Sequence, residues 1–309
     1  MTQSTPNVWN ESKAWSLAGD VMQRLGEQGD VILVRFRQNA IFRVTQLGLT
    51  IRIYSPHDDP TRAHVMLDTA KRLAAVDFPA VRPWSTMGDR PMVIDGYQIT
   101  LWRWLESARN PLVGSHDFGR CLRAFHELGL APSARWPRLE PIVKIRRRAT
   151  RLQANSGDGT RLPDRITERV AALIDDAERY WDDVRSEESE HYGLHGDAMV
   201  GNAIAGPEHV HLIDFDSVCM GPREWDWVPT LIEADRWRGN RADFSQFLFG
   251  YDGGAVNQQR LDALRFVKEL SIIVVLCLRI ATDRRIVAEI DRRLESLQNR
   301  DWQCRWRRV

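Results

Sequence analysis

Lysine is almost missing from this chain of 309 residues. There are four (Lys13, Lys71, Lys144, Lys268) among 43 basic side chains, so arginine carries nearly all the positive charge. A mechanism that demands a lysine therefore has few residues to draw on. Cysteine is scarce as well. Cys121, Cys219, Cys277 and Cys304 form no C-x-x-C pair, and no His/Cys cluster has ligand spacing. That excludes a disulfide framework and a structural zinc site, and it fits a reduced, cytoplasmic setting. The longest apolar run, residues 270–278, falls well short of the ~20 residues of a membrane span, and residues 1–13 hold no apolar signal core. Net charge is small too, because 43 Lys+Arg against 42 Asp+Glu leave +1. Near-neutrality excludes a strongly basic nucleic-acid binder.

The balance hides an uneven distribution. Residues 161–240 hold 8 basic and 18 acidic side chains, net −10, whereas residues 107–160 hold 10 and 4, net +6. A hydrophobic content of 43% excludes a wholly disordered chain, and the length suits about two lobes.

Patterning divides the chain. A short helix is expected within 7–28, ending near Gly26 or Gly29. Residues 31–36, 40–46 and 49–54 are rich in β-branched and aromatic side chains between short turns, which predicts an antiparallel meander. A helix over 61–76 and a strand pair at 91–94 and 98–104 follow, the pair turned by Asp95-Gly96. Helical spacing then takes over at 117–128, 142–152 and 163–184, with a loop at 155–159. A small β section returns at 203–204 and 210–213. Residues 224–297 read as helical again, broken at 252–254 and near Thr282-Asp283. The expected fold class is α/β (α+β): a small antiparallel-sheet lobe, a strand leading out of it, and a larger helical lobe with one hairpin.

The chemistry concentrates in His195-Gly196-Asp197-x4-Asn202, followed by Ile213-Asp214-Phe215-Asp216. An Asp stands on a loop after an apolar lead-in. Four residues separate it from an Asn, and a hairpin then delivers a second Asp, able to lie beside the Asn. An amide oxygen and a carboxylate are hard ligands suited to Mg²⁺, which is commonly held by few protein groups plus phosphate and water. Asp197 is left to act on an attacking hydroxyl, the layout that phosphoryl transfer uses.

These motifs resemble those of the aminoglycoside phosphotransferase and choline kinase family. Four further pieces agree in order: Gln38-Asn39-Ala40-Ile41-Phe42-Arg43-Val44, Thr50-Ile51-Arg52-Ile53, the segment from Phe118 to Leu128 with its Phe125-His126, and Gly221-Pro222-x-x-Trp225-Asp226. The resemblance implies a bilobal protein-kinase-like fold, with an N-terminal nucleotide-binding lobe over 1–101, a hinge over 102–106 and a catalytic and substrate-binding lobe over 107–309. It implies transfer of the ATP γ-phosphate, with Mg²⁺, to a hydroxyl of a small molecule such as an amino alcohol, sugar or amine-bearing acceptor. No nucleic acid and no membrane partner are expected, and a cationic acceptor would suit the acidic segment. Asp197 would orient and deprotonate the hydroxyl, Asn202 and Asp214 would bind Mg²⁺, and Arg52 and Asn39 would serve the nucleotide, with the backbone around Arg103–Leu105 pairing with adenine. His195 and Asp226 would brace the loop.

Several positions stay open. Asp216 could touch a second metal or cap a turn. Trp225 could pack in the core or wall the acceptor site, and Glu233 and Asp235 could hold an ammonium or lie on the surface. Two departures stand out: the turn at 37–39 has no glycine, and the helix at 61–76 has no glutamate to anchor Arg52, leaving Asp68, His64, Asp58 or Asp59. Two alternatives follow, an antibiotic-resistance kinase of the aminoglycoside type and a non-catalytic nucleotide-binding scaffold of the same fold.

Overall fold

A computed structural model describes residues 9–107, 112–130, 132–154, 162–186, 192–238, 240–279 and 283–309. The expected loop at 155–159 and the break at Thr282 lie outside the described residues. Elements in the first half are α1 (Glu11–Leu25), β1 (Val31–Phe36), β2 (Ala40–Val44), β3 (Leu49–Ile53), α2 (Arg62–Ala75), β4 (Met92–Ile94), β5 (Tyr97–Arg103), α3 (Ser115–Glu127) and α4 (Pro141–Ala154). The second half adds α5 (Asp164–Ser186), β6 (Tyr192–Leu194), β7 (Ala203–Ala205), β8 (Val210–Leu212), β9 (Cys219–Gly221), α6 (Val228–Ile232), α7 (Arg241–Tyr251), α8 (Gln258–Cys277) and α9 (Val287–Gln298).

Two compact units emerge. The first comprises residues 1–113, 133–136 and 201–218, and the second residues 114–132, 137–200 and 219–309. The hairpin β7–β8 thus groups with the N-terminal residues, although a linear reading leaves it in the C-terminal lobe. Its attachment is specific: Leu212 N–H donates to Pro79 O (3.1 Å) and Val81 N–H to Leu212 O (3.1 Å).

In the first unit the antiparallel sheet runs β1-β2-β3-β5-β4. Alternation along each strand sends Ala40, Phe42 and Val44 of β2, and Leu49, Ile51 and Ile53 of β3, to one face. There they bury against Ala14, Leu17 and Val21 of α1. Each fully buried Leu, Ile or Phe contributes roughly 1.5–3 kcal/mol. Helix α1 is held at both ends, by the Asn10 side chain accepting from Lys13 N–H and by Gly26 in the left-handed conformation. Gly26 is one of the two ends expected from the sequence.

The second unit is helical. Helices α3 and α7 cross at backbone contact through Gly119 and Gly250, where an added Cβ would stand 2.2 Å from Phe247 O and 2.0 Å from His116 O respectively. The strand pair β6–β9 was not expected. The helical reading of 224–297 needs a further interruption, because α6 runs on into a π turn over Glu233–Arg238 and α7 starts afresh with Asn240 as its N-cap. Among the described residues no helix is long and apolar enough to cross a membrane.

Candidate active site

The sheet face opposite α1 belongs to Ile41, Thr50, Arg52, Thr100 and Trp102, which strand register sets side by side: Ile41 opposite Arg52, Arg52 opposite Thr100, Thr50 opposite Trp102. Within the first unit this face and the hairpin β7–β8 line a cavity of about 450 Å³, inside the roughly 300–1,000 Å³ of small-molecule sites. Val34, Ile41, Val81 and Ile213 supply apolar wall, and Arg52, Asn202 and Asp214 supply polar groups. Arg103 and Leu105 also line it. Of that stretch, Arg103 N–H is taken by Arg82 O and Trp104 N–H by Gly48 O, while the Leu105 N–H meets no backbone acceptor among the described residues.

Arg52 is buried and straddles two carboxylates. Its Nη1 lies 2.6 Å from Asp214 Oδ1 and its Nη2 2.8 Å from Asp216 Oδ2. Asp216 is shared with Arg62 (3.1 Å), which also reaches Asp58 (3.1 Å). With its amide turned so that each end meets a complementary partner, Asn39 donates to Asp58 (2.9 Å) and accepts from Arg52 (3.0 Å). Burial opposes the Arg52 charge, but Tyr54, Asp214 and Asp216 outweigh it and hold the guanidinium above its ordinary pKa. Burial and the adjacent Asp214 push the Asp216 carboxyl up, against the pull of both arginines.

This network answers the question of the missing glutamate. Helix α2 contributes Arg62 instead, and the acids come from the segment after β8. Among the sequence candidates, Asp68 accepts from Ser133 (2.8 Å), His64 faces Arg135 (3.4 Å) and Asp59 bonds Thr61 (2.7 Å). Asp58 takes part, through Arg62 and Asn39. Asn39 is buried behind Arg52 and does not line the cavity. Asp214 itself adopts φ 67°, a left-handed conformation that short polar side chains tolerate.

In the second unit Asp197 follows β6 and is half exposed. The backbone leading to it is clamped by Asp226, which is wholly buried. Asp226 accepts from His195 N–H (2.7 Å) and Gly196 N–H (2.9 Å), and His126 Nε2 lies 3.1 Å away. Tyr251 OH closes the chain on His126 Nδ1 (2.7 Å). Burial alone would raise the Asp226 pKa, but the His126 hydrogen bond and charge, with His195, bring it below the usual carboxylate range. Trp225 is also buried and donates to Gly196 O (3.4 Å). It braces the same loop.

Glu233 and Asp235 pair with arginines later in the chain. Glu233 pairs with Arg308 (2.7 Å), and Asp235 with Arg241 (2.5 Å) and Arg265 (2.7 Å). Arg265 continues to Glu269 (2.8 Å), which also holds buried Arg236 through two bonds (2.9 and 2.6 Å). The Trp306 ring stacks on Arg236 (4.7 Å), so the Trp- and Arg-rich tail packs inward.

The structure therefore joins Arg52, Asn39, Asp214 and Asp216 in one network, with Asn202, Arg103 and Leu105 on the same cavity. It groups Asp197 with Trp225 in the other unit. Sequence reasoning missed Arg62 and Lys268. The second carried a signal in its own rarity: Lys268 Nζ stands 3.7 Å from Asp197 Oδ1.

A divalent cation fits the first group. Among the described residues no cluster of three or more His, Cys, Asp or Glu could hold a metal unaided. Asn202 and Asp214 nevertheless offer two hard oxygens on one cavity, the small protein share that Mg²⁺ takes beside phosphate and water. The Arg52 guanidinium on Asp214 shows that this carboxylate binds positive charge.

Residues 33–256 match the model of the phosphotransferase enzyme family. No curated protein matches the sequence. The fold is similar to a choline/ethanolamine kinase family protein from Mesorhizobium loti (16% identity over 93% of each chain, TM-score 0.66). It is similar to choline kinase LicA from Streptococcus pneumoniae (13% identity, 93% of this chain and 99% of that one, TM-score 0.64). A third likeness is to amicoumacin kinase hAmiN in complex with AMP-PNP, Ca²⁺ and Ami (16% identity, 94% and 96%, TM-score 0.69).

Proposed function

Because the chain belongs to the phosphotransferase enzyme family, and is by that membership a small-molecule kinase, we propose that it moves the γ-phosphate of ATP to a hydroxyl of a small molecule. The observation that carries this reading is the cavity of the first unit, apolar along Val34, Ile41, Val81 and Ile213 and polar at Arg52, Asn202 and Asp214. An adenine ring suits the apolar wall, and the Leu105 N–H offers its edge a donor. Arg52, bridging Asp214 and Asp216 on the cavity wall, sets positive charge beside the phosphates. Asn202 and Asp214 would hold Mg²⁺, which when bound would neutralise charge on the phosphates.

Asp197 accepts a hydrogen bond from the acceptor hydroxyl and aims its oxygen at the γ-phosphorus. The new O–P bond forms as the bond to the ADP oxygen breaks, and the hydroxyl proton passes to the Asp197 carboxylate. Asp226 keeps that carboxylate in place by fixing the His195–Gly196 backbone. Such positioning supplies most of the catalysis in this chemistry. The acceptor is a sugar, an amino alcohol or an amine-bearing compound, antibiotics of the aminoglycoside type included.

Thermal unfolding with ATP and Mg²⁺ tests the nucleotide half. A ligand at 100 times its dissociation constant stabilises the folded state by ~2.7 kcal/mol. The melting temperature should rise with ATP and Mg²⁺ together, and Asp214→Asn should abolish the Mg²⁺-dependent part. An unchanged melting temperature at millimolar ATP would overturn the reading.

A further inference from the structure

Lys268 is the one intermediate position in a run of α8, residues 264–270, that is otherwise buried. Burying a lysine stem there needs a reason, since the ammonium must find oxygen partners. Its Nζ donates to Gly196 O (3.3 Å), stands 3.7 Å from Asp197 Oδ1 and lies 4.9 Å from the Trp225 ring centroid. Among the described residues, then, the protein's own cation already sits on the two groups that a positively charged acceptor would seek, a carboxylate and an aromatic face. The other acids nominated for that task, Glu233 and Asp235, are neutralised by Arg308, Arg241 and Arg265.

We propose that Lys268 determines acceptor specificity: the hydroxyl compound phosphorylated beside Asp197 carries no positive charge, and its oxygens face the Lys268 ammonium. This rests on the phosphotransfer reading and narrows it. An ammonium has three N–H donors. One goes to Gly196 O, while Asp197 Oδ1 at 3.7 Å is an ion pair beyond hydrogen-bond reach, so donors are left for an acceptor oxygen. A cationic acceptor beside half-exposed Asp197 would bring like charge against Lys268, a repulsion weakened but not removed by solvent. The same ammonium holds the Asp197 carboxylate by charge, so Lys268 is a positioning residue for Asp197 as well.

The test uses the full chain, ATP and Mg²⁺, and three sets of probes: glucose and ribitol as neutral, gluconate and glycerate as acidic, and choline, ethanolamine and kanamycin as cationic. ADP release is followed for wild type, Lys268→Met and Lys268→Arg. Methionine keeps most of the apolar stem on Trp225, and the arginine variant restores charge. The proposal expects turnover in the neutral or acidic set. In Lys268→Met, kcat on that set should fall at least 10-fold with the KM for ATP within twofold of wild type, discrimination against the cationic set should weaken, and Lys268→Arg should recover part of the loss. Preference of the wild type for cationic acceptors overturns the inference and leaves the phosphotransfer reading intact. So does a Lys268→Met enzyme with unchanged kcat and unchanged preference. Silence in all three sets, with ATP shown to bind, counts against both.

Discussion

Replacing Asp226 by asparagine isolates the clamp behind Asp197. The carboxylate is fully buried and takes hydrogen bonds from the His195 and Gly196 amides at 2.7 and 2.9 Å, with His126 at 3.1 Å. An asparagine of the same shape keeps one acceptor oxygen and turns an NH₂ group toward a donor. One or two charge-assisted bonds are lost, each worth about 1.5–3 kcal/mol. A donor facing a donor stays buried and unsatisfied. The expected loss is about 3–5 kcal/mol, the range for breaking a buried charged contact, against a total stability of roughly 5–15 kcal/mol.

Urea denaturation of wild type and Asp226→Asn, followed by tryptophan fluorescence at neutral pH, measures it. The midpoint should fall with little change in slope, and the folded variant should lose kcat because the loop carrying Asp197 is released. The pH dependence has a fixed sign. The Asp226 pKa is lower in the folded chain than the ~3.9 of an unfolded aspartate. Its contribution is therefore complete above that value and is lost as pH falls through the folded value. The gap between wild type and variant should be flat near neutrality and shrink below about pH 4. Stability within about 1 kcal/mol of wild type, with full activity, would refute this account of the clamp.

Two other substitutions probe separate parts of the molecule. Arg52→Lys replaces a fork that spans Asp214 and Asp216 with a single ammonium, so stability should fall by about 2 kcal/mol and the KM for ATP should rise. Melting curves and steady-state kinetics read the two effects, and an unchanged KM would remove Arg52 from the nucleotide site. Gly250→Ala places a methyl group 2.0 Å from His116 O, a backbone atom that cannot swing away. Helices α3 and α7 must separate, at about 3 kcal/mol, and a melting temperature equal to wild type would contradict that close crossing.

Much of this architecture was readable because local chemistry and fold agree. The β-branched runs at 31–54 became β1–β3, and alternation along β3 put Arg52 on the face away from α1. What could not be read depends on distance along the chain. The partners of Arg52 lie 162 and 164 residues away, so a search of the neighbouring helix and loop could not reach them. The strands β6 and β9 are three residues each, too short to show a period. For Glu233 and Asp235 the sequence left an ammonium site and a surface position equally open, because the arginines that pair with them come from other elements. The −10 of residues 161–240 is accordingly matched in part by arginines at 241, 265 and 308.

The central claim is that Asp197 receives the acceptor proton during phosphoryl transfer. Acceptor-dependent ADP release by wild type and Asp197→Ala, at saturating ATP and Mg²⁺ and with both proteins shown to melt alike, tests it most directly. Loss of a positioned base costs roughly 10²–10⁴-fold in kcat. The account predicts a fall of that size with ATP binding intact, and Asp197→Ala turning over at the wild-type rate would contradict it.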